Sequence, residues 1–299
     1  MSFSSDVKTE LCAVPMKERH CAVAESYGAL LYCNTFTQRQ VKFVTASREF
    51  AQRLVKLFKK AFGLEFDHIA QGAAGAKSIL SIETPDKLRQ IFAAFDADID
   101  ATPIHHINLG VLEEACCKVS FLRGAFLAGG SVTAPEKRFH LELVTGHYSV
   151  SRECYSLLLE LGFSPRESAR GGNSILYFKQ ADAISELLTT LGASNKGMEV
   201  ISAKIEKSMS NTVNRKLNCD FANADKVVTA AQEQLNAIKK VDKALGLTEL
   251  PDGLQQAAFL RIANPEASLA DLALLSDPPV TKSCLNHRLK KLMELAKKV

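Results

Sequence analysis

The residues best suited to contacting a nucleic acid lie close to the C-terminus. Amide, hydroxyl and imidazole groups there can bond to base edges, and basic side chains can contact phosphate. The predicted groove contacts are Lys282, Ser283, Asn286 and His287, and the predicted phosphate contacts are Thr281, Arg288, Lys290 and Lys291. Among these side chains, the amide of Asn286 has the geometry to pair with an adenine edge.

A single helix can present these side chains on its outer face. Apolar residues recur at the i, i+4, i+7 and i+11 spacing of a buried stripe, namely Leu285, Leu289, Leu292 and Ala296. At about 100° per residue, the opposite face carries polar and basic side chains. We therefore predict a last helix that opens at Thr281 and runs to Lys298.

A shorter helix is predicted just before it. Ser268 and Asp271 have the spacing of a capping box, and residues 276–279 break the chain with two prolines. The predicted inner side of this short helix is Leu269, Leu272, Ala273 and Leu275. A helix, a short break and a basic helix follow one another in helix-turn-helix motifs, whose second helix enters the major groove. We predict this motif over about residues 268–298, within a helical domain at residues 222–299.

Residues 198–221 form a predicted basic connector before that domain. Its candidate DNA-backbone contacts are Asn214, Arg215, Lys216 and Asn218. Two interpretations stay open, a solvated interdomain segment and a basic arm that contacts phosphate. A long helix is predicted from Ala222 to Leu245, ending at Gly246. Its predicted buried stripe is Val228, Ala231, Leu235, Ile238, Val241 and Leu245.

The first two thirds of the chain contain a repeat. Residues 27–37 align without a gap on residues 123–133, and each copy continues as strand, helix, strand and helix in the same order. Small residues at Gly124, Ala125, Ala128 and Gly129 share one face of a helix, which permits close approach to another backbone. We predict a duplicated α+β domain over residues 1–197, built on paired central helices at residues 18–32 and 118–128.

This duplicated pattern resembles the LAGLIDADG homing-endonuclease fold, with residues 124–131 set against its signature between central helix and strand. The resemblance implies a metal-binding acid at the foot of each central helix, but Cys33 and Gly129 occupy those two positions. A glycine cannot bind Mg²⁺ with its side chain, and a neutral thiol is a poor ligand for it. The scaffold is therefore expected to be catalytically inactive, and the protein is not expected to be an enzyme.

Nearly the whole chain resembles one family, the WhiA regulators of bacterial sporulation. The similar segments are residues 1–10, 121–132, 214–223, 264–269 and 286–289. This resemblance implies a degenerate LAGLIDADG domain followed by a helix-turn-helix domain that binds double-stranded DNA. It also implies a role in sporulation gene control or in cell division and chromosome segregation, with a WhiB-like iron–sulfur partner in some organisms.

The duplicated first domain also suggests two functions other than DNA-binding regulation. A metal-dependent DNA endonuclease would need replacement acids, for which Glu25, Asp67 and Glu142 are the candidates. A protein-interaction module would act through the first domain, with the paired helices as a docking surface. The two hypotheses differ in their assays, since plasmid nicking tests the first and partner capture tests the second.

Composition limits the remaining possibilities. Residues 1–200 contain 22 basic and 22 acidic side chains, whereas residues 201–299 contain 15 basic and 11 acidic ones. The positive excess therefore lies in the C-terminal third, which favours that region for nucleic-acid binding. Eight cysteines occur without a CxxC pair, and no signal-peptide core or apolar run of about 18 residues is present. We expect a cytoplasmic, nucleoid-associated protein with reduced thiols, no metal site and no cofactor, and a simple turn at residues 72–76.

Overall fold

The computed structural model describes residues 2–71, 76–97, 99 and 105–299. Its contacts divide the chain into two compact units, Met1–Lys207 and Ser208–Val299, here called the first and second units. Each unit has its own hydrophobic core. The predicted turn at residues 72–76 lies almost entirely outside the described residues.

The first unit contains two copies of one α+β arrangement, preceded by an extra helix α1 (Phe3–Ala13). The first copy comprises α2 (Arg19–Leu31), β1 (Thr35–Phe36), β2 (Val41–Thr45), α3 (Arg48–Phe62), β3 (His68–Ala70), β4 (Ser78–Ile82) and α4 (Pro85–Ala93). The second copy comprises α5 (Ala115–Gly129), β5 (Gly130–Val132), β6 (Leu141–Thr145), α6 (Tyr148–Glu160), β7 (Arg166–Arg170), β8 (Asn173–Phe178) and α7 (Ala181–Leu191). The predicted α+β class and its duplication are confirmed.

Each copy forms a four-stranded antiparallel sheet with the same order. The orders are β1-β2-β4-β3 and β5-β6-β8-β7, and the central pairs have matching registers, with Val41 opposite Ile82 and Leu141 opposite Phe178. The prediction missed all four outer strands. Strands β3 and β7 were missed because all of their residues are exposed and show no apolar alternation, and β1 and β5 are only two and three residues long. Equal topology in both halves places α2 and α5 in equivalent positions.

The pairing of α2 and α5 depends on one glycine from each helix. A Cβ atom added at Gly28 would lie 2.0 Å from the carbonyl oxygen of Phe121, and one at Gly124 would lie 2.0 Å from that of Glu25. Both obstacles are backbone atoms, so no side-chain rotation can make room. The two helices therefore cross at a distance that only glycine permits.

The long helix α8 (Ser194–Leu245) begins well before the predicted start at Ala222. The preceding helix α7 ends at Gly192, whose φ is +108°, and α8 starts directly after it. Gly197 packs inside α8 against α7, and its carbonyl accepts a hydrogen bond from the Ser185 hydroxyl at 2.8 Å. The boundary between the two units falls within this helix, whereas the predicted domain boundary was residue 197.

The second unit adds α9 (Asp252–Ala263), α10 (Leu269–Leu275) and α11 (Lys282–Leu295) to the end of α8. The predicted stripe of α11 is buried over its whole length, from Leu285 to Ala296. Three predicted core residues are wrong, because Val228 and Leu245 on α8 and Leu275 on α10 are exposed. The core uses the middle of the α8 stripe, with Ala237, Ile238 and Val241 packed in one cluster with leucines of the later helices.

Candidate nucleic-acid interface

The outer face of α11 carries the predicted nucleic-acid contacts. The exposed residues of this face are Thr281, Lys282, Ser283, His287, Lys290 and Lys291. Asn286 and Arg288 are partly buried at the edges of this face. The structure therefore brings all eight predicted residues to one helix and its N-cap, with Leu285 and Leu289 fixing the rotation of that helix from below.

Local capping positions the two helices of the motif. The Ser268 hydroxyl accepts from the Asp271 backbone N–H at 3.3 Å, and the Ser268 N–H donates to the Asp271 carboxylate at 3.3 Å. This reciprocal pair confirms the capping box predicted for α10. Thr281 caps α11, because its hydroxyl accepts from the Cys284 N–H at 3.2 Å. Thr281 thus has a structural role beside its predicted phosphate contact.

The cationic side chains on α11 lack partners within the chain. Among the described residues, Lys282, Lys290 and Lys291 form no ion pair or side-chain hydrogen bond, so their charge is available for phosphate. Arg288 differs, since its guanidinium carbon lies 3.3 Å from where a Cβ of Gly253 on α9 would be. Arg288 therefore packs on the start of α9 with part of its side chain, which holds it beside the predicted phosphate contacts.

Arg261 is a positioning residue that the sequence interpretation missed. Its side chain is among the largest that are fully buried, and its Nη1 donates to the Ala267 carbonyl at 2.7 Å and the Asn264 carbonyl at 3.4 Å. These bonds hold the turn that leads into α10, and burial lowers the pKa of the guanidinium. The available signal was its spacing, because Arg261 follows Leu254, Ala257 and Ala258 on the inward face of α9.

The predicted backbone-contacting residues of the connector lie on α8. Asn214, Arg215, Lys216 and Asn218 are all exposed, and the helical spacing places Asn214 and Asn218 on one face with Arg215 beside them. In the described part of the chain none of the four side chains has a hydrogen-bond or ionic partner. The segment is thus a solvated helix that exposes amide and basic groups.

The positions at the C-terminal ends of the two central helices, Cys33 and Gly129, do not fit a metal ion that would catalyse DNA hydrolysis. A side chain at Gly129 would place its Cβ 2.5 Å from the Val144 carbonyl oxygen and 2.8 Å from the ring of Tyr32. Cys33, at the other foot, donates its thiol hydrogen to the Thr35 carbonyl at 3.0 Å, and burial raises the pKa of this thiol to about 12. A protonated thiol and a glycine without space for a carboxylate do not form a Mg²⁺ site.

Glu25 is occupied by a buried ion-pair network. Arg53 donates to both of its carboxylate oxygens, at 2.5 Å and 2.9 Å, and Arg123 donates at 3.3 Å. Both arginines also bind backbone carbonyls, including that of Leu191. Glu25 therefore joins both halves of the first unit and has no free oxygen for a metal.

The other two candidate acids are also held by neighbours. Asp67 is partly buried, which raises its pKa, but hydrogen bonds from Lys87 and from the backbone N–H groups of Glu83 and Thr84 outweigh this and hold the pKa well below the usual range. Glu142 accepts from the Ser131 hydroxyl at 3.3 Å and lies 3.3 Å from the His140 ring. The candidate acids Glu25, Asp67 and Glu142 each have separate partners and do not form a metal pair.

Taken with the fold, these features define a helix-turn-helix protein that carries a LAGLIDADG-like domain. A model of the WhiA C-terminal HTH domain matches residues 213–296, and a model of the WhiA LAGLIDADG-like domain matches residues 118–210. The "probable cell division protein WhiA" of Ruminiclostridium cellulolyticum is 34% identical over 307 residues, covering 100% of this chain and 98% of that protein. Its namesake from Staphylococcus carnosus is 34% identical over 308 residues with the same coverage. The chain belongs to the WhiA family.

Solved structures show the same fold. Full-length DUF199/WhiA from Thermotoga maritima matches with a TM-score of 0.60 at 24% identity, covering 100% of this chain and 99% of that one. The N-terminal LAGLIDADG domain of DUF199/WhiA matches 64% of this chain with a TM-score of 0.50 at 22% identity. Nowhere in the described part of the chain does a helix combine the length and the hydropathy needed to span a bilayer.

Proposed function

We propose that this protein binds double-stranded DNA through α11 and regulates transcription in a process linked to cell division. The observation that carries the proposal is the outer face of α11, where exposed polar and basic side chains without partners follow a capped helix and a break. A helix-turn-helix reader places such a face in the major groove. The link to cell division rests on the names of the curated relatives.

The proposed split between base contacts and phosphate contacts on α11 follows from the position of each residue along the helix. Lys282, Ser283, Asn286 and His287 lie in its first two turns and are proposed to contact bases. Thr281, Arg288, Lys290 and Lys291 flank them and are proposed to contact phosphate. In α8, Asn214, Arg215, Lys216 and Asn218 are proposed as further backbone contacts, since all are exposed and without partners in the described chain.

Two substitutions distinguish base readout from phosphate binding. Asn286→Ala should remove about 1–3 kcal/mol of discrimination at one base pair and leave nonspecific binding unchanged. Lys290→Ala should weaken binding to all sequences alike and lower the salt slope by about one unit. The measurement is binding of full-length protein to a selected genomic fragment and to a scrambled one at several salt concentrations.

A matched lysine outside the interface provides the control. Lys56 is exposed on α3 in the first unit, so Lys56→Ala removes the same charge from the net total without touching α11. If Lys56→Ala and Lys290→Ala lowered affinity and salt slope equally, the effect would be one of net charge and the α11 interface would be refuted. Equal affinity of wild type and Lys290→Ala would refute it as well.

We also propose that the first unit is a non-catalytic scaffold. Support comes from the crowded position of Gly129, the protonated thiol of Cys33 and the engagement of Glu25 by two arginines. Supercoiled plasmid incubated with purified protein and Mg²⁺ or Mn²⁺ should stay intact. Metal-dependent nicking that survives stringent purification of the protein would contradict this proposal.

The cellular role is proposed from the family. Sporulation gene control and chromosome segregation are the two finer alternatives, and a genome-wide map of bound sites separates promoter-proximal binding from binding spread along the chromosome. Nucleoid association is expected in either case. A variant with Lys282, Lys290 and Lys291 replaced by alanine should no longer colocalise with the nucleoid in fluorescence images. A WhiB-like regulator is the proposed partner of the first unit, tested by co-purification of the two proteins.

A further inference from the structure

Four metal-ligating side chains meet at the N-terminal ends of the two central helices. His20 and Cys21 lie in the first turn of α2, and Cys116 and Cys117 lie in the first turn of α5. Their four ligand atoms all lie within 4.8 Å of one another. The His20 Nδ1 atom lies 3.0 Å from the Cys117 sulfur, 3.6 Å from that of Cys21 and 4.0 Å from that of Cys116.

The two dipeptides occupy equivalent positions in the two halves. The gapless alignment that places Gly28 on Gly124 also places His20 on Cys116 and Cys21 on Cys117. The cluster therefore lies where the two equivalent helix starts meet. It is at the opposite ends of α2 and α5 from Cys33 and Gly129, so it is separate from the degenerate metal positions of the fold.

We propose that these residues form a structural zinc site, with the sulfurs of Cys21, Cys116 and Cys117 and the Nδ1 atom of His20 as ligands. Three cysteines and one histidine are a common ligand set for closed tetrahedral zinc sites. With zinc–sulfur bonds of about 2.3 Å, the ligand atoms of a tetrahedral site lie roughly 3.8 Å apart. The four atoms already lie within 4.8 Å of one another, so side-chain rotations that move them by about 1 Å complete the site. This compactness favours one ion over a multi-iron cluster.

The surroundings suit an anionic metal site. Zn²⁺ displaces the protons of three thiols to solvent, which leaves one net negative charge on the complex. That charge lies at two helix N-termini, whose unpaired N–H groups and dipoles stabilise thiolates. A cavity of about 480 Å³ borders His20, Cys21 and Cys116 and gives the ion a path from solvent. Bound zinc would join the two halves at a further point, beyond the glycine crossing and the Glu25 ion-pair network.

Metal content and spectroscopy of the full-length protein test the site. Protein reconstituted with Zn²⁺ under reducing conditions should contain one zinc per chain, and its melting temperature should fall when a chelator is added. Reconstitution with Co²⁺ should give the intense visible bands of tetrahedral cobalt and the ultraviolet charge-transfer bands of three thiolates. An octahedral cobalt spectrum, or zinc well below one per chain, would overturn the proposal.

Two cysteine variants assign the ligands. Cys116→Ser removes an exposed ligand and should weaken zinc binding by more than about 100-fold, since losing even outer-shell partners costs 10–100-fold. Cys219→Ser removes an exposed cysteine of the second unit and should bind zinc as wild type does. Equal binding by wild type and Cys116→Ser, or equal loss in both variants, would refute the assignment. If Cys116→Ser does not fold, the cobalt spectrum of wild type decides alone.

The absorption spectrum of anaerobically purified protein tests for iron instead of zinc. The bands of an iron–sulfur cluster in that spectrum would show that the site holds iron and would refute the proposal.

Discussion

Replacing Gly124 with alanine should push the two central helices apart. The added Cβ would lie 2.0 Å from the Glu25 carbonyl oxygen and 2.9 Å from the Ala29 nitrogen, and real Cβ contacts are essentially never under 3.0 Å. The helices must therefore separate by roughly 1 Å at this point. A gap of 0.5–1 Å already forfeits a quarter to a half of each dispersion contact, so the loss extends along the interface.

Two opposing energies set the sign of the effect. Alanine is favoured over glycine in a helix interior by about 1 kcal/mol, which would stabilise the protein if there were space. Overpacking costs about 1–3 kcal/mol and occasionally more, and a clash with backbone belongs at the upper end because nothing flexible can yield. We expect a net loss of about 2 kcal/mol or more in the free energy of unfolding. For a domain of this size the melting temperature should then fall by about 4–8 °C.

Thermal unfolding of Gly124→Ala, Gly28→Ala and Gly146→Ala tests this reasoning. Gly28 makes the equivalent approach to Phe121, so its alanine variant should lose a similar amount. Gly146 is the matched control, because the nearest atom to its added Cβ is the Asn173 side-chain oxygen at 3.7 Å. A melting temperature of Gly124→Ala equal to or above that of wild type would show that the helices do not meet at these glycines.

Three further substitutions test side chains whose contacts stabilise the inside of a single unit, Glu25 and Asp67 in the first and Arg261 in the second. Glu25→Gln should cost about 3–5 kcal/mol in unfolding free energy, because it leaves Arg53 and Arg123 buried without their counter-charge; a loss below 1 kcal/mol in chemical denaturation would argue against the network. Arg261→Met should cost about 1–3 kcal/mol and weaken DNA binding by disordering the entry to α10; unchanged affinity would remove its positioning role. Asp67→Asn should destabilise the protein at pH 7, and the difference from wild type should shrink on acidification. The sign follows from the depressed folded-state pKa, since the stabilisation is complete above the unfolded-state pKa of about 3.9 and is lost as the pH falls towards the folded-state value. Acid titration of both proteins, followed by circular dichroism, would refute this if the difference stayed constant.

Features set by neighbouring residues could be predicted from the sequence. The Ser268 cap, the buried stripe from Leu285 to Ala296 and the paired strands of each half depend on spacings of a few residues. The glycine face of α5 was also predictable, because the repeat supplied a second helix for it to meet. The groups predicted on the outer face of α11 do lie there, since one helix carries them all.

Features set by residues far apart in the chain could not be predicted from the sequence. His20 and Cys116 are separated by more than ninety positions, and neither dipeptide has the spacing of a metal motif by itself. The start of α8 was missed because residues 201–230 are almost entirely solvated, so apolar periodicity carries little information there. The burial of Arg261 depends on carbonyl groups at residues 264 and 267, which only the folded turn brings into range.

The glycine crossing also has a consequence for synthesis on the ribosome. Helix α2 is complete at Leu31, but its partner α5 is complete only at Gly129, about a hundred residues later. At about 5–20 residues per second, α2 waits roughly 5–20 s with its close-packing face uncovered. During that interval the α5 helix of a neighbouring nascent chain on the same messenger could occupy the face first, and the product would be a domain-swapped dimer. Slower translation between residues 31 and 129 should therefore increase the swapped fraction, whereas slowing after residue 129 should leave it unchanged.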